Sequence, residues 1–148
     1  MEATDANTRY KQELRGASLR ATSGRMAVLR ALEASPHATA ETVFALISGD
    51  LPGTSPQAVY MVLNDLTRAG LIRRFEPAGS AALYERRIGD NHHHLVCDSC
   101  GRVTPFSDER LERAIHDLGD RVDYRVGAHD VVLRGTCPSC AKSASATG

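Results

Sequence analysis

The chain has no long apolar run: none approaches the ~20 consecutive apolar residues that a membrane-spanning helix needs. It also lacks the basic start followed by an apolar stretch that is typical of a secretory signal. We therefore expect a cytoplasmic protein with no membrane partner. Its 148 residues are 42% hydrophobic and 24% charged, as in an ordinary soluble globular protein of one medium domain or two small ones.

The chain also has no net charge, because 18 basic residues balance 18 acidic ones. The total charge is therefore weak support for nucleic-acid binding. The distribution is more informative. Between Arg9 and Arg30 there are six basic residues and a single acid, Glu13. A basic N-terminal segment of this kind suits contacts with phosphate groups.

Signatures of common hydrolytic sites are absent as well. The sequence contains no His-Glu-x-x-His, no His-x-Glu deaminase signature and no Gly-x-Ser-x-Gly, which are the motifs of metalloproteases, deaminases and serine hydrolases. We therefore predict that the protein is not an enzyme and has no small-molecule substrate.

Cysteine occurs only in two Cys-x-x-Cys pairs, Cys97 with Cys100 and Cys137 with Cys140. In a reducing compartment such pairs favour a metal over disulfides. Two of them are typical of a tetrahedral structural zinc site, which leaves no open position for a catalytic water. The alternatives are a thioredoxin-like redox pair or two free dithiols. Neither needs two pairs, and no thioredoxin-like βαβ pattern surrounds them.

The first half of the chain has the pattern of a winged helix-turn-helix. We predict a short helix over Arg9–Gly16, helices capped by Thr22, Thr39 and Ser55, and strands at Leu71–Phe75 and Ala81–Tyr84. The helix after Ser55 would enter the major groove. Its exposed side chains Gln57, Tyr60, Met61 and Asn64 suit adenine edges and thymine methyl groups. A small helical domain with a hairpin and no role in DNA binding is the alternative.

The second half has the pattern of a small α+β module. We predict strands at His93–Val96, Arg102–Phe106, Val122–Val126 and Val131–Arg134, and one helix capped by Ser107 and ended by Gly119. Such a module buries little core alone, so a second copy and a metal are both expected to stabilise it. The resulting α+β fold has a winged-helix DNA-binding domain (1–86), a hinge (87–91), a dimerisation and metal-binding domain (92–142) and a disordered tail (143–148).

Three consecutive histidines precede the first cysteine pair. Because alternate side chains of a strand face opposite sides, His92 and His94 would share one face and His93 the other. Two metal sites could therefore be built from them, with further ligands drawn from His37, Glu85, Asp108, Glu112, His116 and His129. A polar surface strand without metal explains the composition equally well.

The chain from about Leu14 to Cys140 resembles the ferric uptake regulator family of bacterial metalloregulators. The resemblance rests on an ordered set of motifs: Leu19-Arg-Ala-Thr-Ser-Gly-Arg25, His37-Ala-Thr-Ala-Glu-Thr-Val-Phe44, Ser55-Pro-Gln-Ala-Val-Tyr60, Ala69-Gly-Leu-Ile72, Tyr84-Glu85, His92-His-His-Leu-Val-Cys-Asp-Ser-Cys-Gly101 and Cys137-Pro-Ser-Cys140. It implies a homodimeric repressor in which a divalent ion closes the dimer onto an AT-rich palindromic operator.

The resemblance also implies two further metal sites. An interdomain regulatory site would use His37, Glu85, His92 and His94. A second site, inside the dimerisation domain, would use His93, Glu112 and His129, with Asn91 where the family often has a histidine. Pro105 stands where the family usually has a carboxylate as the fifth ligand of the interdomain site. The site is therefore expected to be four-coordinate or to use Asp108. Histidine and carboxylate ligands suit Fe²⁺ or Mn²⁺, and also Zn²⁺.

For DNA binding the resemblance assigns Tyr60 to thymine, Arg20 to the minor groove and Arg15 to phosphate, so the complete candidate set is Arg15, Arg20, Ser55, Gln57, Tyr60 and Asn64. The segments Gly89-Asp-Asn-His-His-His94 and Ser55-Pro-Gln-Ala-Val-Tyr60 look most like the redox-responsive branch that represses catalase-peroxidase genes. That branch implies iron-dependent oxidation of a ligand histidine or of cysteines. The alternatives are an iron-, zinc- or manganese-uptake regulator, a zinc-stapled thiol redox protein, and a dimerisation module whose histidines store metal.

Overall fold

The computed structural model describes residues 2–77, 81–87, 92–127 and 129–146. The chain forms two compact units, residues 1–88 and 89–148. Of the predicted hinge, only Arg87 lies within the described residues, and Asn91 lies outside them. The tip of the predicted hairpin turn, residues 78–80, also lies outside them. Among the helices described, none combines the length and the apolar character needed to cross a bilayer.

The first unit has four helices and a three-stranded antiparallel sheet. The helices are α1 (Glu2–Gly16), α2 (Ser23–Ala34), α3 (Ala40–Ile47) and α4 (Pro56–Arg68), and the strands are β1 (Ala38–Thr39), β2 (Ile72–Phe75) and β3 (Leu83–Arg86). The strand order is β1-β3-β2. This element order matches the predicted winged helix-turn-helix, with the short strand β1 as an addition.

The three predicted N-caps are present. The side-chain hydroxyls of Thr22, Thr39 and Ser55 each accept a hydrogen bond from the backbone N–H three residues later, at 3.3, 3.1 and 3.1 Å. Each bond satisfies a donor that the helix itself leaves unpaired. Pro56 follows Ser55 at the first helical position, where its missing N–H has no cost. Local sequence therefore fixes where α2, α3 and α4 begin.

Helix α1 is longer than predicted, since it begins at Glu2 and not near Arg9. Contacts with the rest of the unit explain the difference. Ala6 packs against the core of the unit, and Asn7 Oδ1 accepts a hydrogen bond from Arg30 of α2 at 2.7 Å. Tertiary packing therefore stabilises a segment whose polar composition suggests fraying.

The core of the first unit joins all four helices to the sheet. Its fully buried members include Val28, Leu29, Leu63, Leu66 and Ile72, each at most 1% exposed. A side chain of this kind contributes about 1.5–3 kcal/mol when it is buried completely. The apolar stripe of α4 belongs to this core, so the opposite face of α4 is left for solvent or a ligand.

Strand β3 begins at Leu83, two residues later than the predicted start at Ala81. Its register against β2 pairs Phe75 with Leu83 and Ile72 with Arg86. This register extends the strand through Glu85 and places Glu85 directly opposite Arg73. The hydrophobic pattern alone does not determine that pairing.

The second unit has a three-stranded mixed sheet and two helices. In chain order these are β4 (His93–Cys97), β5 (Val103–Phe106), α5 (Glu109–Arg121), β6 (Val132–Gly135) and α6 (Pro138–Ala146). Strand β4 is central, antiparallel to β5 and parallel to β6. The only apolar residues described as buried here are Val96 and Cys97. This small core agrees with a module that needs further stabilisation.

Both ends of α5 differ from the prediction. Its N-cap is Asp108 and not Ser107, because the Asp108 carboxylate accepts hydrogen bonds from the N–H groups of Arg110 and Leu111 at 2.8 and 3.2 Å. A carboxylate at this position is also favoured by the helix dipole. The bond from the Arg110 side chain, followed by these N–H groups, lowers the pKa of Asp108.

The predicted strand Val122–Val126 is irregular chain after the C-terminus of α5. The N–H of Tyr124 donates to the carbonyl of Gly119 at 2.8 Å, and Asp123 has a left-handed φ of 59°. The chain therefore folds back over the helix. A Cβ on Gly119 would lie 2.4 Å from Val126 Cγ2, so glycine there permits a close approach and does not end the helix.

Helix α6 continues through Ala146, whereas the sequence predicts a disordered tail from 143. Alanine has the highest helix propensity and serine is tolerated, and no proline follows Pro138. Local propensity is therefore sufficient to extend this helix. Residues 147 and 148 lie outside the described part of the chain.

We expect Leu63→Ala to lower the free energy of unfolding of the first unit by about 2–5 kcal/mol, because it leaves a cavity in a core position. Met61→Ala is the matched control on the same helix, since Met61 is 68% exposed and its loss should change stability by less than about 0.5 kcal/mol. Urea unfolding followed by circular dichroism measures both. Equal losses for the two variants would contradict this assignment of the core face.

Candidate metal centres and DNA-binding surface

Four cysteines converge in the second unit. Cys97 ends β4, Cys100 lies in the turn that follows, and Cys137 and Cys140 lie at the start of α6. Their sulfur atoms all lie within 4.8 Å of one another, and all four cysteines are reduced. Gly101, with φ of +77°, adopts the left-handed conformation that the tight turn after Cys100 needs.

The sulfur geometry fits a tetrahedral metal. Cys100 Sγ and Cys137 Sγ are 3.8 Å apart, while Zn–S bonds of about 2.3 Å at tetrahedral angles imply sulfur atoms about 3.8 Å apart. A disulfide would bring the sulfurs to about 2.05 Å. The arrangement therefore suits four thiolates around one ion.

The four thiols influence one another's ionisation. Cys97 Sγ accepts a hydrogen bond from the Cys137 N–H at 3.3 Å, and this bond, with a second from the Cys100 N–H, lowers the pKa of Cys97 to about 6. Hydrogen bonds with Cys137 and Cys100 raise the pKa of Cys140 to about 12. The four thiols therefore do not ionise together unless positive charge compensates them. A divalent ion bound by the four sulfur atoms would supply that charge.

A second cluster joins β4, α5 and the loop before β6. Glu112 lies between two histidines, with Oε1 at 2.5 Å from His93 Nε2 and Oε2 at 2.7 Å from His129 Nε2. The hydrogen bond from His93, followed by the one from His129, lowers the pKa of Glu112. The carbonyl of Gly127, followed by Glu112, raises the pKa of His129. Without a cation, hydrogen bonds between Glu112 and the two imidazoles hold this cluster together.

The two histidines of this cluster fit a cation differently. His129 Nδ1 lies 2.8 Å from the Gly127 carbonyl, the backbone contact that usually leaves Nε2 of a histidine available as a metal ligand. His93 Nδ1 instead accepts a bond from the Val131 N–H at 3.1 Å. A cation at His93 Nε2 would require a proton on Nδ1. The hydrogen bond from the Val131 N–H to Nδ1 would then be lost, because a protonated Nδ1 cannot accept it. The ring of His116 lies 6.0 Å from the His129 ring, beside the cluster.

In the first unit, His37 and Glu85 form a pair. His37 Nε2 lies 2.9 Å from Glu85 Oε2, with side chains 18% and 4% exposed. His37 has a left-handed φ of 61°, which is uncommon for residues other than glycine, and its ring meets the Phe75 ring edge-on. An imidazole and a carboxylate held in this way offer two of the ligands that divalent cations use.

His92 and His94 lie in the second unit. Their rings are 5.2 Å apart in a T-shaped arrangement, as expected if they share a strand face, while His93 contacts Glu112. Pro105 is the β5 partner of His94 and offers no ligand. Asp108, the expected substitute, is engaged as the α5 N-cap. The predicted set of His37, Glu85, His92 and His94 remains a prediction, with two members in each unit.

The predicted recognition helix α4 exposes the side chains expected to meet DNA. Tyr60 is 53% exposed, and Ser55, Gln57 and Asn64 are also exposed, while Val59, Leu63 and Leu66 are buried on the opposite face. Arg15, in the last turn of α1, and Arg20, in the segment before α2, are both exposed.

Sequence reasoning overlooked Arg73, which is buried beside Glu85. Only the register of β2 against β3 identifies it.

Comparison with known proteins gives a consistent result. Residues 16–134 match the model of the ferric uptake regulator family. The transcriptional regulator FurA of Mycobacterium tuberculosis is 45% identical over 134 residues, 90% of this chain and 91% of that protein. Ferric uptake regulation protein 2 of Mycolicibacterium fortuitum is 40% identical over 92% of this chain and 95% of its own length. The crystal structure of the Vibrio cholerae ferric uptake regulator is similar with a TM-score of 0.69 and 30% identity, over 86% of this chain and 98% of that one.

We expect Cys137→Ser to remove about one equivalent of tightly bound metal per chain and to destabilise the second unit, because a closed four-thiolate site loses a ligand. Ser139→Ala, between the two cysteines, is the control and should retain the metal. Elemental analysis after exhaustive dialysis measures the content. Unchanged metal in Cys137→Ser would rule out this site.

Proposed function

This chain belongs to the ferric uptake regulator family of metal-dependent transcriptional regulators, and from that premise we propose that it is a redox-responsive repressor. In this proposal it binds AT-rich palindromic operators as a homodimer and regulates oxidative-stress genes of the catalase-peroxidase type. Members of the family are regulators and not enzymes, in agreement with the absence of hydrolytic motifs. The similarity to FurA supports the redox-responsive branch.

One observation supports the proposal: two candidate cation ligands lie together in the first unit, which also contains the predicted recognition helix. His37 lies immediately before β1, and Glu85 lies on β3 beside it, 2.9 Å away. Because β1 pairs with β3, a change in how these side chains are held would act on the sheet of the unit that contains the recognition helix. We assign the remaining regulatory ligands to His92 and His94. A bound divalent ion would supply the charge that favours the DNA-binding arrangement over others.

For DNA recognition, the proposal uses the exposed face of α4. Gln57 and Asn64 can form hydrogen bonds with adenine edges, and the ring of Tyr60 can pack on a thymine methyl. Ser55, at the N-terminus of α4, is placed for a phosphate or base contact. Arg15 and Arg20 would contact phosphates or the minor groove, and their contribution should weaken as salt increases.

For the metals, the proposal assigns Zn²⁺ to the four cysteines as a structural ion. It assigns Fe²⁺ or Mn²⁺ to the regulatory ligands, since histidine and carboxylate suit these ions, although Zn²⁺ is also compatible with them. His93, Glu112 and His129 form the candidate third site. The redox response would follow from oxidation of a ligand histidine or cysteine by peroxide, because the oxidised side chain no longer binds the ion.

The exposed apolar residues of the second unit support the homodimer. Leu118, Val122 and Tyr124, in and after the last turns of α5, are 60%, 55% and 72% exposed. Together with the small core of this unit, they indicate a surface that a second copy of the chain covers. A dimer would then present two recognition helices to successive half-sites.

A second candidate is an iron-uptake regulator of the same family. The 40% identity to a ferric uptake regulation protein favours it, and the same ligands would serve. The two functions differ in their response to peroxide. With Fe²⁺ bound, peroxide should release a redox-responsive repressor from DNA, whereas an uptake regulator should stay bound at the same dose.

We expect Glu85→Gln to reduce Mn²⁺-dependent affinity for an AT-rich palindromic duplex by about ten-fold or more, because a neutral amide is a much weaker ligand than a carboxylate. Glu76→Gln is the control, since Glu76 belongs to the same unit and its side chain is 58% exposed. Fluorescence anisotropy at fixed salt measures both. A Glu85→Gln protein that retains the full Mn²⁺ response would exclude Glu85 from the regulatory site.

We expect Leu118→Asp to shift the protein from dimer to monomer, because a carboxylate would be buried without a partner in the interface. Arg113→Asp, also on α5 and exposed, adds the same carboxylate off the predicted apolar face and should leave the dimer intact. Analytical ultracentrifugation of both variants measures the shift. A Leu118→Asp protein that remains dimeric at micromolar concentration would place the interface elsewhere.

A further inference from the structure

Arg73 is a buried arginine on β2, directly opposite Glu85 on β3. Both side chains are only 4% exposed, and Arg73 Nη1 lies 3.6 Å from Glu85 Oε1. Arginine is almost never buried to this degree unless it is paired with an acid. Its guanidinium also keeps its proton throughout the accessible pH range. A permanent positive charge therefore lies beside one of the candidate ligands for the regulatory ion.

The two oxygens of Glu85 face different neighbours. Oε2 lies 2.9 Å from His37 Nε2, on the side where a cation would bind, while Oε1 lies nearest Arg73. The distance of 3.6 Å exceeds that of an ordinary hydrogen bond, so this contact acts mainly through charge. A cation held by His37 and Glu85 would have to share the carboxylate with Arg73.

We propose that Arg73 sets the affinity of the regulatory site for divalent cations. Its guanidinium compensates the buried charge of Glu85 in the metal-free protein, and it repels the incoming ion. Both effects raise the cation concentration at which the site fills. The inference rests on the proposed role of His37 and Glu85 as cation ligands.

The sign of the effect follows from electrostatics. Loss of one partner of a buried ion pair leaves the other with less compensating charge, which is unfavourable. Without Arg73, the buried Glu85 carboxylate would gain more from a bound cation than it does now. The repulsion between two positive charges a few ångströms apart would also be removed. Both changes tighten cation binding, and the first also weakens the metal-free fold.

The neighbouring Arg74 provides a matched control. It carries the same charge on the same strand, but alternate side chains of a strand face opposite sides. Its side chain is 43% exposed and forms an ion pair with Glu76. Neutralising Arg74 changes the net charge equally without changing the charge that faces Glu85.

The test is Mn²⁺ binding to the full-length, zinc-loaded protein without DNA, with free Mn²⁺ measured by electron paramagnetic resonance. Glu85→Gln, titrated in parallel, defines the part of the binding that depends on Glu85. For that part, we expect Arg73→Gln to bind Mn²⁺ about ten-fold more tightly or better. Arg73→Lys, which retains the charge, and Arg74→Gln should remain within about two-fold of the parent protein.

Thermal unfolding separates this role from simple structural support. We expect Arg73→Gln to have a lower Tm than the parent without Mn²⁺ and a larger rise in Tm when Mn²⁺ is added. If Arg73 were purely structural, its loss would lower the Tm equally with and without Mn²⁺, and the rise in Tm on adding Mn²⁺ would be unchanged. Should Arg73→Gln fold only with Mn²⁺ present, the cation would be replacing the guanidinium charge, which supports the proposal.

Three results would overturn it. Unchanged or weaker Mn²⁺ affinity in Arg73→Gln, with the Glu85-dependent binding intact in the parent, would refute the role of Arg73 and leave the regulatory site standing. Failure of Arg73→Gln to fold even in saturating Mn²⁺, while Arg73→Gln/Glu85→Gln folds, would show that the cation does not compensate Glu85. No loss of binding in Glu85→Gln would instead refute the proposed regulatory site and, with it, this inference.

Discussion

A carboxylate buried inside a DNA-binding unit needs positive charge nearby, and the environment of Glu85 follows from this constraint. Its side chain is 4% exposed and lies between His37, which can carry a proton or bind a cation, and Arg73, which is always charged. The β2–β3 register, the short strand β1 and the left-handed conformation of His37 all serve to bring these groups together. The fold of the winged helix and the cation binding that we propose therefore depend on the same side chain.

The second unit meets a different constraint, because it buries too little apolar surface to be stable alone. Four thiols arranged with tetrahedral spacing offer one solution, since a structural ion contributes folding free energy directly. Exposed apolar residues at the end of α5 offer the other, a second copy of the chain. We propose that metal binding in this unit is in the first place a condition for folding, and that regulation is added through the histidines of β4 and the residue before it.

Much of the fold could be predicted from sequence because its signals are local. Thr22, Thr39 and Ser55 cap the helices they were expected to cap, and the spacing of the cysteines predicted their convergence. Features that depend on tertiary contacts could not be predicted. The extent of α1 depends on contacts of Ala6 and Asn7 with the rest of the unit, and the proximity of Arg73 to Glu85 depends on strand register. Gly119 looked like a helix end, yet its role is to allow Val126 to approach the helix.

The central claim is that cation binding and DNA binding are coupled through Glu85 and its partners. The most direct measurement is the reciprocal linkage: DNA affinity with and without saturating Mn²⁺, and Mn²⁺ affinity with and without the AT-rich palindromic duplex. The factor by which Mn²⁺ raises DNA affinity must equal the factor by which DNA raises Mn²⁺ affinity. We predict that both factors are well above one in the parent protein and fall towards one in Glu85→Gln. Factors of one in the parent protein would mean that the cation does not control DNA binding and would contradict the account.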